Sequence, residues 1–439
     1  MWVATSALLV LALVVSALTI LHLQGQAKLE GVLADLRNKN LIYLPAEFAK
    51  LAPAVDEDRQ ERVWAQQQRI LKEKWADGRF TNGMQRFSLK LLPRADQQLA
   101  DDSLTERTAW RALYQEGPVV VGSFGWIRRD FPTPDTIGIA QSVQLCIPNL
   151  LATRALASSI AAAALSAKDP RADLADLDAL VGAMESGGTL IDAMILIAIS
   201  NIRDQAWLEA TLRGVDPAPW IAQRPPVGKA LITAFAGERA WNVGGLYQDY
   251  MHGRIPGSAM APDGAAWAGT IVWRCVAPHD LAFMYFSEGE IEKRLRGQAV
   301  NLSTLYTKLQ ARSVLHIMSS VMIPNLIESA HTGIQADVTA RRLRCAAAVA
   351  HAWHQTKQLP TNSPELLALL PTDLLAAHGD SPAIQYSVIA PDRFRLWTDP
   401  ATPATDLLPA GRIDAPAPTT AAWSEGRWWL ELDLNQVPP

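Results

Sequence analysis

The chain has 439 residues, of which 49% are hydrophobic and 19% charged. That is a folded, core-forming composition with room for two or three domains, and it excludes a disordered chain. The net charge of -4 is spread over interspersed acids and bases with no basic stripe, which speaks against nucleic acid as a partner. The three cysteines, Cys146, Cys275 and Cys345, lie far apart and form no CxxC pair. A zinc ribbon or disulfide framework is therefore not supported, and buried small hydrophobes are the plain expectation.

The first element in chain order is Val3 to Leu23, apolar and without charge. It matches the roughly 20 residues that a bilayer core needs and is read as a single membrane span. A cleaved leader, with Gly25-Gln26-Ala27 as a small-x-small site, is the competing reading. Orientation is contested. Lys28, Arg37 and Lys39 follow the span and would hold the large domain inside. A lone N-terminal helix before a large domain acts as an export signal, and that reading is adopted. Gln24 to Asn40 continues as a stalk with Leu29, Val32, Leu33 and Leu36 on one face.

Asp56 to Ala76 reads as an amphipathic helix. Ser103-Leu104-Thr105-Glu106 reads as a capping box starting a helix to Tyr114. Val119 to Trp126 is a candidate strand. The middle is the most regular part: helices are expected over Ser142–Ala167, from Asp169-Pro170 to Ser186, over Thr189–Arg213 ending at Gly214, and over Val227–Trp241. Their short turns imply antiparallel hairpins. Asn242 to Pro278 is rich in Gly, Pro, Met and Trp and reads as a long irregular segment. Helices then resume over His279–Arg296, Asn301–Glu328 and Gln335–Lys357. In the tail, Ile384, Tyr386 and Val388 alternate, as do Phe394 and Leu396, and so do Trp428, Leu430, Leu432 and Leu434, which predicts period-2 strands.

One resemblance rests on residues 335–439. Ala340-Arg341-Arg342-Leu343-Arg344-Cys345 opens a long helix leading to Leu359-Pro360. Ser363-Pro364-Glu365-Leu366-Leu367, Asp380-Ser381-Pro382 and Phe394-Arg395-Leu396-Trp397 follow. This order resembles the periplasmic module of type II secretion pseudopilins. The whole chain also resembles a group of uncharacterised membrane-anchored bacterial proteins with a Gly237-Glu238-Arg239-Ala240 type of motif. The resemblance implies an envelope protein with a helix-plus-sheet tail, and no activity.

Chemistry-bearing motifs are sparse. Glu328 and His331 have the spacing of a di-iron ligand pair on one helix face, and His351 and His354 form a second close pair. These four are the metal-ligand candidates, weighed against ordinary solvated or hydrogen-bonded histidines. Cys275 with His279-Asp280 is a candidate nucleophile pair. Trp241, Tyr247, Tyr250, Trp267 and Trp273 are candidates to line a groove. No phosphate loop, HExxH or GxGxxG is present, no catalytic residue is assigned, and no cofactor is expected.

The fold expected is mainly α: an anchor at 1–23, a stalk and linker at 24–55, a helical-hairpin domain at 56–334, and a C-terminal helix with a small antiparallel sheet at 335–439. The function expected is a structural or interaction component of the bacterial envelope, single-pass in the inner membrane with its large domain periplasmic. The membrane through residues 3–23 and an envelope protein are its expected partners. A hydrolase or metal-dependent enzyme with a site near 242–280, and a divergent secretion-system component, are the alternatives.

Overall fold

The computed structural model describes residues 2–70, 97–123, 138, 150–185, 187–223, 227–254, 266–296, 298, 300, 302–311, 317–361, 365–366, 370, 374–375, 383–398, 423–426 and 429–434. In chain order its helices are α1 (Trp2–Asn38), α2 (Pro45–Ala49), α3 (Glu57–Arg69), α4 (Gln97–Asp102), α5 (Leu104–Gln115), α6 (Leu150–Ser166) and α7 (Arg171–Met184). Then come α8 (Leu190–Leu212), α9 (Ala218–Ile221), α10 (Val227–Glu238), α11 (Gly244–Met251), α12 (Ala266–Leu295), α13 (Ser303–Ala311) and α14 (Ile317–Thr356). A π-helical turn, Arg239–Val243, joins α10 to α11. The strands are β1 (Gln385–Ala390), β2 (Arg393–Trp397), β3 (Trp423–Gly426) and β4 (Trp429–Asp433).

Helix α8 is central. Thr189 accepts from the Asp192 amide, while Asp192 Oδ2 reaches back to the Thr189 amide at 2.9 Å, which closes a capping box. Gly214, at φ 92°, ends the helix in a conformation that a side chain would strain. Between these ends Leu196, Ile199, Ala206 and Leu208 are fully buried, because α6, α7, α10 and α14 pack on different sides of the helix. Some of the polar groups that enter this core bring partners. Trp220 Nε1 donates to Asp204 at 2.9 Å, Trp207 stacks on Trp220 with centroids 5.9 Å apart, and Arg344 lies over the Trp220 ring.

Helix α1 lies along α12. Leu29, Leu33 and Leu36 are buried against Ala277, Leu281, Met284 and Tyr285. Pro278 sits inside α12, and having no N–H it leaves the Arg274 carbonyl one turn earlier without its helical donor. His22 Nδ1 of α1 donates to that carbonyl at 2.8 Å. In return His279 Nε2 donates to the Leu21 carbonyl at 2.8 Å. Gly25 permits the close approach, since a Cβ there would stand 2.7 Å from the His279 ring.

This arrangement corrects the reading of Val3–Leu23. Among the described residues no helix is long and apolar enough to cross a membrane. The side chains of α1 are described from Ala12 onward, and the apolar run passes into Gln24, Gln26, Lys28 and Glu30 within the same helix. Its last turn is already committed to α12 through Leu21 and His22. The single-pass inner-membrane topology, its periplasmic domain, the membrane partner at 3–23 and the anchored envelope role are therefore not supported.

Other elements differ for identifiable reasons. The segment 242–278 is largely helical where described, in α11 and the start of α12; 255–265 lie outside the described residues. Its glycines are not all breakers: a Cβ at Gly244 would stand 2.6 Å from the Tyr43 carbonyl, so packing requires the bare backbone. The helices expected at 301–328 and 335–357 are instead the short α13 and the 40-residue α14, which runs through Pro324. Gly333 is interior to α14 because a Cβ there would run into Leu231. Of the strand expected at 119–126, residues 119–123 form no strand, the Val121 amide instead donating to the Ala183 carbonyl, and 124–126 lie outside the described residues. Ser103 does not cap α5, since its hydroxyl donates back to the Leu99 carbonyl at 2.7 Å.

The C-terminal sheet is antiparallel in the order β1-β2-β4-β3. Phe394 pairs with Leu432, and Leu396 with Leu430. All four are buried in the cluster that includes Leu343 and Ala347 of α14. On the intervening positions Arg395 pairs with Glu431, so the period-2 alternation separates a core face from a polar one.

Candidate functional site

The four metal-ligand candidates do not converge. Glu328 is exposed on α14 and His331 is buried. His351 Nε2 lies 2.9 Å from the Gln355 side chain, and His354 Nε2 donates to the Leu212 carbonyl at 3.1 Å. The two pairs share one helix but are 20 residues apart in sequence, about 30 Å at the helical rise. Among the described residues no group of three or more His, Cys, Asp or Glu is arranged to hold a metal.

The other candidates have structural partners. Asp280 accepts from the Met318 and Ser319 amides and so holds the start of α14. His279 is engaged by Leu21, and Cys275 is a buried free thiol. Cys345 is likewise buried and free, and burial pushes its thiol up to about 12. Cys146 lies outside the described residues. Of the aromatic residues, Trp241 packs edge-on to Phe48, while Tyr247, Tyr250 and Trp273 pack around α1. Tyr250 accepts from Gln26. The side chain of Trp267 lies outside the described residues. These rings anchor α1 and α2.

The prominent concavity is elsewhere. A groove of about 930 Å³ runs between α1 and α12 and is flanked by α13. Val32 and Leu36 of α1 and Ala282, Phe283 and Phe286 of α12 give it an apolar lining. Two glycines face it, Gly31 and Gly289, and a Cβ built on either meets nothing within 4 Å. Five cationic side chains line it, Lys28, Lys39, Lys293, Arg296 and Lys308, against three acidic ones, Asp35, Glu290 and Glu292. Lys39 pairs with Asp35 and Lys293 with Glu290, each at 2.5 Å, and Arg296 with Glu292 at 2.7 Å. Lys28 and Lys308 remain as the surplus. Lys308 Nζ stands 4.8 Å over the Phe286 ring.

Behind one wall lies a buried charge cluster at the Gly237-Glu238-Arg239-Ala240 motif. Gly237 is glycine because a Cβ would collide with the Gly188 carbonyl. Glu238 accepts from the Leu190 amide at 3.0 Å, a second anchor for the start of α8, and from Asn242. The Arg239 guanidinium, 1% exposed, donates to Glu292 at 2.5 Å and to the Ile42 carbonyl at 2.5 Å. Glu292 therefore bridges two arginines, Arg239 inside and Arg296 on the rim. Burial opposes its ionisation, but the two arginines outweigh burial and hold its carboxyl below the usual range. Glu288, one turn earlier on α12, is fully buried, and neither carboxyl oxygen has a hydrogen-bond partner. Burial pushes it well above the usual carboxylate range, against the opposing pull of Arg239 and reinforced by Glu238 and Glu292.

The pattern that places this cluster is Leu281, Tyr285, Glu288 and Glu292 at helical spacing, two acids on an otherwise apolar face. Sequence reasoning treats such acids as solvated, because the partner helix carrying Arg239 is some fifty residues away in the chain. The groove is hidden for the same reason: its walls, Val32 and Phe286, belong to helices far apart in sequence. No family model, no curated protein and no solved structure matches this chain.

Proposed function

We propose that this protein is a binding protein for an elongated apolar molecule with an acidic head, held in the groove between α1 and α12. The observation that carries the reading is the groove itself: about 930 Å³, apolar along its length, with unpaired Lys28 and Lys308 among its lining. Ligand pockets run to roughly 1,000 Å³ and combine apolar walls with a few placed polar groups. From Lys28 to Lys39 the groove follows α1 for about 16 Å at the helical rise.

The test is a series of alkanesulfonates of increasing chain length, titrated into the purified full chain. Each buried methylene contributes about 0.8 kcal/mol, so affinity rises roughly fourfold per carbon until the groove is filled. Gly31→Trp and Gly289→Trp fill the groove from either wall without a backbone clash. Each is expected to weaken binding at least tenfold while the far-ultraviolet circular dichroism is unchanged. Chain-length independence, or full binding by both tryptophan variants, overturns the reading.

A further inference from the structure

Two features of the site have no role in holding an apolar chain: a carboxyl with no partner in the interior, and a glutamate that bridges the interior to the rim. Glu288 is surrounded by titratable and charged groups on each element packed against it. Glu238 and Arg239 face it from α10 and the π-helical turn, and Glu292 from its own helix. Tyr285, also on α12, lies next to it and is itself faced by Tyr43 and Tyr247. Arg239 is the cation that faces both Glu288 and Glu292. Arg239 is already bound to Glu292 and to the Ile42 carbonyl, so a second full negative charge at Glu288 has no cation of its own.

Glu292 transmits this to the groove. Its Oε2 takes Arg239, and its Oε1 takes Arg296 Nε at 3.1 Å and Nη2 at 2.7 Å. Arg296 is half exposed on the rim. An acidic head that binds there competes with Glu292 for Arg296, throws Glu292 back on Arg239, and adds a negative charge on that side of the cluster. Each change disfavours an ionised Glu288. Conversely, ionised Glu288 draws Arg239 from Glu292, which then keeps Arg296 for itself and withholds it from the ligand.

We infer that Glu288 couples binding to protonation: the groove takes an anionic ligand together with a proton on Glu288, and loses affinity for it when Glu288 ionises. This rests on the groove reading above. The coupling is reciprocal, because a ligand that favours the protonated form must bind more tightly when that form prevails.

The experiment uses dodecanesulfonate, whose head stays charged throughout, below its micelle-forming concentration. It is titrated into the full chain from acidic to mildly alkaline pH, short of the lysine range. Wild type is expected to lose about tenfold in affinity with rising pH, equivalent to a shift of about one pKa unit in Glu288 on binding. Calorimetry in two buffers of different ionisation enthalpy is expected to show proton uptake. Glu288→Gln, a neutral isostere, is expected to bind at all pH values like acidic wild type, with uptake abolished. A wild type that binds with no proton uptake overturns the coupling even if Glu288→Gln does not fold, and so does a Glu288→Gln variant that keeps the wild-type pH dependence. A wild type that binds at no pH, or binds as well with Gly31→Trp, overturns the groove reading instead.

Discussion

Two carboxyls lie in the interior of this protein under opposite regimes. Asp192, fully buried at the start of α8, accepts from the amides of Ser123, Gly188 and Thr189 and from the Thr189 hydroxyl. Glu288, equally buried in α12, accepts from nothing. Burial raises the pKa of both. At Asp192 the four donors oppose that shift and turn the acid into a structural clamp between the 122–123 segment, the 187–189 turn and α8. At Glu288 there is no such return, and the acid is stable only by keeping its proton. A buried acid ringed by donors holds a fold together, whereas one without donors stores sensitivity to pH.

The comparison can be broken in order of expected effect. The largest belongs to the cation between the two regimes. Arg239→Ala removes the partner of Glu292 and the donor to Ile42, and breaking a buried pair from one side costs about 3–5 kcal/mol. Urea denaturation is expected to show that loss, and a loss below about 1 kcal/mol would mean that the cluster is not a buried network. Asp192→Ala comes next. It strands buried amides and breaks the capping box of α8 from its Asp192 side, leaving Thr189 in place, at about 2–4 kcal/mol on the same measurement.

The third effect is one of pH. Glu288 has a higher pKa folded than unfolded, so the folded chain holds more protons over the interval between the two values. Stability contributed there is full below the unfolded pKa and declines as pH rises towards the folded one, by up to about 1.4 kcal/mol per pH unit from this group. Thermal unfolding across that interval is expected to show a steeper decline for wild type than for Glu288→Gln, and identical slopes would remove Glu288 from the account. The smallest effect is at an exposed acid. Asp35→Asn loses only the surface pair with Lys39, both partners about half exposed, and is expected to change stability by less than about 0.5 kcal/mol.

What the sequence makes legible is local. The Thr189 start and Gly214 end of α8, its all-round apolar character, and the alternation of Phe394, Leu396, Leu430 and Leu432 are each contained in a short window and each appears in the structure. The fate of Pro278 and Pro324 is not local. A proline reads as a break because its helix loses a hydrogen bond, and only the arrival of His22 from the other end of the chain shows how the freed Arg274 carbonyl is satisfied. The apolar run of α1 misleads for a related reason. Hydropathy reports apolar side chains but not what they meet: Leu29 and Leu33, further along the helix, meet α12, while Leu13, Val14, Val15, Ile20 and Leu23 stand exposed. Glu288 and Glu292 pass unnoticed because two glutamates on a helix are ordinary until Arg239 stands opposite.

The pairing of His22 with the Arg274 carbonyl and of His279 with the Leu21 carbonyl also has a mechanical meaning. It clamps α1 to α12 beside Gly25, at a close approach of the two helices, and the packing of Leu29, Leu33 and Leu36 continues the contact from there. The groove begins at that point, with His279 in its lining. One end of the groove is therefore stapled shut, and the staple begins with a proline's missing hydrogen. The end of the groove fixed in this way is the one that carries Ala27 and the surplus Lys28.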